Sequence, residues 1–63
     1  MSSRRTSIRE ALGVRLEKVE LMNNGTAVDT SYVLYRPDQP VPSIYYARPE
    51  ADQAYLDALA QRS

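Results

Sequence analysis

Sixty-three residues make one domain at most, and a chain this short buries only about 60% of its unfolded surface, so its core is small. The absence of cysteine and histidine excludes disulfides, thiol chemistry and the usual zinc sites. Eight basic residues balance eight acidic ones, which gives no net field toward nucleic acid or a membrane. Self-association is the remaining way to supplement such a core.

Residues 1–5 read as a disordered arm and residues 6–63 as a single small domain. Four arginines against one glutamate in residues 1–15 make this end basic, and the rest of the chain carries the compensating acid. Ser7-Ile8-Arg9-Glu10 fits a capping box, which predicts a short N-terminal helix burying Ile8, Ala11 and Leu12, with Gly13 ending it in the left-handed region. In the stretch 14–22, Val14 and Leu16 alternate as in a strand, and Val19 and Leu21 continue in the opposite phase. A strand keeping both pairs inward needs a bulge near Glu17 and Lys18. The rival is a helix carried through Gly13, with Ile8, Leu12, Leu16, Val19 and Met22 on one stripe. Glycine costs about 1 kcal/mol inside a helix, so the strand is preferred.

Asn24-Gly25 is a hairpin signal, and the run 26–36 is rich in Thr, Val and Tyr. Pro37-Asp38-Gln39-Pro40 interrupts it, and a further strand over 41–48 starts at an edge because of Pro42. Pro49 and the acids Glu50 and Asp52 open a helix at about 50–61, with Ala51, Ala54, Tyr55, Ala58 and Leu59 on one face. The expected class is α+β: a small antiparallel meander of two to three strands, the short N-terminal helix, and the C-terminal helix packed on one face.

The residue inventory argues against an enzyme. Acid–base work falls to Asp, Glu, Tyr or Lys18, and the two glycines, Gly13 and Gly25, build no phosphate loop. No metal, cofactor or membrane span is expected, Met1-Ser2-Ser3-Arg4-Arg5 leads into no apolar signal segment, and the default location is cytoplasmic. All five aromatics are tyrosines, and Tyr32, Tyr35, Tyr45 and Tyr46 fall on two strands that should pair, giving each face a Tyr pair. One helix covers one face, which leaves the other as a surface for a partner protein or a second copy as a homodimer. The expected function is a non-catalytic interaction module, an inhibitor or adaptor of the kind phages and mobile elements encode as accessory proteins. The alternative is a small nucleic-acid-binding factor contacting phosphates through Arg4, Arg5 and Arg9.

Overall fold

Two dipeptides at positive φ set the frame of the molecule. In the computed structural model, which describes residues 2–62, Leu12 and Gly13 lie at φ 53° and 82°, and Asn24 and Gly25 at 54° and 79°. Two consecutive residues at positive φ make a type I′ turn, whose twist matches that of paired strands. Each turn therefore closes a hairpin, joining β1 (Ser2–Ala11) to β2 (Val14–Asn23) and β2 to β3 (Thr26–Tyr35). The short strand β4 (Ser43–Tyr45) adds to β3, and the helix α1 (Arg48–Arg62) follows. The sheet is antiparallel in the order β1-β2-β3-β4.

The α+β class stands with its C-terminal helix, but among the described residues there is no short N-terminal helix and the sheet has four strands. Residues 7–10 belong to β1, and residues 2–5, expected as an arm, pair with residues 19–22 of β2. Met1 lies outside the described residues. A capping box needs an apolar stripe behind it, and here Gly13 supplies a hairpin turn instead of a helix end. Leu12 takes a conformation that costs an ordinary residue about 1–2 kcal/mol, with its side chain 59% exposed. Leu12→Asn is accordingly expected to raise stability by about 1 kcal/mol, read as a melting temperature about 4–8 °C higher.

Residues 14–22 form the preferred strand, and it runs unbroken. The expected bulge near Glu17 and Lys18 sits in its neighbours instead, at Ile8 in β1 and at Val28 in β3, both left without a directly opposite partner in β2. The change of phase along β2 is therefore a change of face. Val14 and Leu16 point at the helix, whereas Val19 and Leu21 point to the other side of the sheet.

The strand expected over 41–48 shortens to three residues, because Pro40 and Pro42 cannot donate to a ladder. Helix α1 starts where the Ala51 amide donates to the Ala47 carbonyl at 3.1 Å. Pro49 falls in the first turn, where its missing N–H has no intrahelical acceptor to lose. Arg48 and Asp52 pair across one turn at 3.2 Å. Ala51, Tyr55 and Ala58 lie buried with Val14, Leu16 and Leu34, and Ile8, Tyr32, Tyr45, Ala54 and Leu59 pack around them. A fifteen-residue helix spans about 22 Å and a ten-residue strand about 33 Å. No residue of β2 beyond Leu16 or of β3 before Tyr32 belongs to this cluster, so the β2–β3 hairpin projects past the helix.

Candidate interaction surface

The open face of the sheet collects its side chains from the odd-numbered positions of β2. Arg15, Glu17, Val19 and Leu21 project from β2, opposite Tyr35, Val33, Ser31 and Asp29 of β3. From β1 come Arg5, opposite Val19, and Glu10, opposite Arg15, and from β4 comes Ile44, opposite Val33. Leu21, Val19, Val33 and Ile44 thus run diagonally across three strands. Leu21 and Ile44 are 37% and 55% exposed, whereas Val33 is only 8% exposed although the helix lies on the far side. Its neighbours on the open face bury it.

Beside this stripe lies a chain of ion pairs. Arg5 Nη1 reaches Glu17 Oε1 at 3.5 Å, Arg15 Nη1 reaches Glu17 Oε2 at 3.4 Å, and Arg15 Nε reaches Glu10 at 3.9 Å. Arg5 Nη1 also donates to the Tyr35 hydroxyl at 3.0 Å, and the Arg15 guanidinium lies 5.6 Å from the Tyr35 ring centre. The Tyr35 contact, followed by the Glu17 carboxylate, raises the proton affinity of Arg5 above its ordinary value. Tyr35 is therefore held in one orientation by two cations.

Tyr32, Tyr35, Tyr45 and Tyr46 do not form a pair on each face. Tyr32 and Tyr45 lie directly opposite each other, and both pack against the helix-covered core. Tyr35 lies half-buried on the open face, and Tyr46, just past β4, is 73% exposed. The three arginines are likewise divided. Arg4 donates through Nη2 and Nε to Glu20 Oε1 at 2.8 and 3.2 Å, Arg5 joins the open-face chain, and Arg9 stacks 4.7 Å above the Tyr55 ring.

No family model, curated protein or solved structure matches this chain. Its surface is read from its own geometry. The sequence reading assigns none of Arg15, Glu17, Val19, Val33 and Ile44 to a surface, although the phase change in 14–22 is a signal for the facing of Val19. Among the described residues no group of three His, Cys, Asp or Glu side chains could hold a metal ion, and no helix is long and apolar enough to cross a membrane. A small open cleft is lined by Val14, Arg36, Asp38, Ala58 and Gln61, with the buried Arg36 Nε unpartnered beside it.

Glu20, 8% exposed, is the buried acid of the helix-side face. The hydrogen bond from Arg4 lowers its pKa, against the opposing effect of burial, with the Arg4 and Lys18 charges assisting. A depressed carboxylate stabilises the fold at pH values above its unfolded pKa of about 4.3, and that contribution disappears as pH falls through the folded value. Thermal melts should therefore show wild type more stable than Glu20→Gln at neutral pH, with the two curves converging in strong acid.

Proposed function

We propose that the protein is a non-catalytic interaction module, an inhibitor or adaptor that binds a larger protein through the open face of its sheet. The observation that carries this reading is the apolar diagonal of Leu21, Val19, Val33 and Ile44, exposed at its two ends, next to a Tyr35 already fixed by Arg5 and Arg15. Apolar surface rimmed by charge is typical of protein interfaces. An aromatic held in place before binding loses little entropy when it is covered. Of the tyrosines at 32, 35, 45 and 46, the reading assigns Tyr35 and the exposed Tyr46 to a partner, while Tyr32 and Tyr45 pack against the core.

The alternative is a nucleic-acid-binding factor working through Arg4, Arg5 and Arg9. It requires these side chains to exchange Glu20, Glu17 with Tyr35, and the Tyr55 ring for phosphates. Affinity capture from a native lysate separates the two readings. A protein retained by wild type at high salt and lost with Ile44→Ser or Tyr35→Ala supports the interface, since hot-spot truncations typically cost 2 kcal/mol or more. Nucleic acid retained at low salt only, with both variants binding normally, overturns it.

A further inference from the structure

The outer edge of β1 has ten residues and no neighbouring strand among those described. We infer that this edge pairs antiparallel with β1 of a second copy, about a two-fold axis passing between Ser7 and Ile8. Three observations select both the occupant and the register.

The first is the facing of the side chains. The bulge at Ile8 reverses the alternation along β1, so Arg5 and Ser7 before it and Glu10 after it point to the open face. Arg4, Thr6 and Arg9 point to the helix side. Residues directly opposite in an antiparallel pair share a face. An axis between Ser7 and Ile8 satisfies this for the flanking residues: Arg5 meets Glu10 of the second copy, Thr6 meets Arg9, and Arg4 meets Ala11. Ser7 and Ile8 meet at the axis itself and face opposite sides, since Ile8 packs against the helix-side cluster, so this one pair is left unmatched. A bulge ordinarily blunts an edge, but here the two bulges coincide at the axis and leave the flanking ladders unbroken.

The second observation is charge. The chosen register repeats the Arg5 and Glu10 pair by symmetry and sets no like charges opposite each other. Moving the axis to lie between Thr6 and Ser7 places Arg4 opposite Arg9 twice. Moving it to lie between Ile8 and Arg9 sets Glu10 against Ser7 and forfeits both ion pairs. On the far side of the sheet the unpaired edges among the described residues are those of β4, three residues long, and of residues 26–31 of β3. Together they carry Asp29 as their one charge and offer nothing complementary to themselves.

The third is the ion chain on the open face, which within one copy is open-ended. It runs Arg5, Glu17, Arg15, Glu10, and its two ends are 59% and 62% exposed at the side chain. The contact of Glu10 with Arg15, at 3.9 Å, is the longest in it. The two-fold joins each free end to the opposite end of the other copy and closes a ring of eight charges. Networks of this kind contribute where isolated surface pairs do not.

Sedimentation equilibrium of four samples tests the inference. Wild type is expected to approach twice the 7.1 kDa chain mass as concentration rises. Glu10→Arg and Arg5→Glu should each weaken self-association at least about tenfold, since each sets like charges opposite across the axis. Their equimolar mixture should restore the two-chain particle, because both cross-pairs then join an arginine to a glutamate. Damage confined to either single chain is not repaired by mixing. A wild type that stays a single chain at every concentration, or a mixture that does, overturns the inference.

A second test is independent of those charges. The axis brings Ser7 beside its own copy, so Ser7→Cys should give a disulfide-linked dimer under mild oxidation. Ser3→Cys, far from the axis, should not. The reverse pattern also overturns the pairing. The pairing uses the backbone edge of β1 with Arg5 and Glu10 at the margin of the open face, whereas the functional reading rests on Tyr35, Val33 and Ile44 further across the sheet. A wild type that stays a single chain and still captures its partner therefore refutes this inference and leaves the functional reading standing.

Discussion

Leu34→Ala should leave a large fraction of the protein unfolded at room temperature. Leu34 is fully buried, lies between Leu16 of β2 and Ser43 of β4, and belongs to the cluster beneath the helix. Truncating a buried leucine costs about 2–5 kcal/mol, the upper end applying where neighbours cannot collapse into the gap. Here the neighbours are held by ladders on both sides. A chain of this length has a total stability of about 3–9 kcal/mol, so the loss is a large share of the whole. Urea midpoints measure it, with Val28→Ala as the control. Val28 is 52% exposed at the bulge of β3, and its truncation should change stability by no more than about 0.5 kcal/mol.

Tyr55→Ala should be comparably damaging, at about 3–5 kcal/mol, the range for truncating buried aromatics. The ring is 2% exposed and is the one large side chain that α1 contributes to the fully buried cluster, the others being Ala51 and Ala58. The two alanines bring the helix close to the sheet, and Tyr55 fills the remaining depth against Val14, Leu16 and Leu34. Arg9 caps the ring from β1. Arg9→Ala should cost only about 0.5–1 kcal/mol, the value of a cation above an aromatic face at an exposed site. Similar losses for the two variants would mean that the Arg9 cover, rather than the depth of the ring, holds the helix down.

The second hairpin was legible in the sequence and the first was not, although their backbones are nearly superimposable in φ. Asparagine tolerates the left-handed region, so Asn24-Gly25 shows its turn directly. Leucine does not, and Leu12-Gly13 therefore reads as a helix end. The serine and glutamate of residues 7–10 reinforce that reading through a purely local pattern, which pairing with β2 overrides. The α1 stripe was readable because it recurs at helical spacing from Ala51 through Ala54 and Tyr55 to Ala58 and Leu59, and the strand at 26–36 because β-branched and aromatic residues dominate it. On the candidate surface, the tyrosines drew attention by their number, but number does not reveal facing. Tyr32 and Tyr45 turn inward because β4 joins β3 in the register that sets Ser43 opposite Leu34. The short loop rich in proline fixes that register, and its geometry is not written in periodicity.

The hairpin that projects past the helix makes resistance to opening uneven along the molecule. Backbone amides around Leu16 and Leu34 exchange with solvent only when the helix lifts or the whole chain unfolds, so their protection reports global stability. Amides near Leu21, Val28 and the Asn24-Gly25 tip have no helix above them, and the ladder between them is interrupted at Val28. They are released by fraying of the ribbon alone, an event that leaves the buried cluster untouched and costs correspondingly less. One end therefore behaves as the folding unit, while the other can twist or open without threatening it.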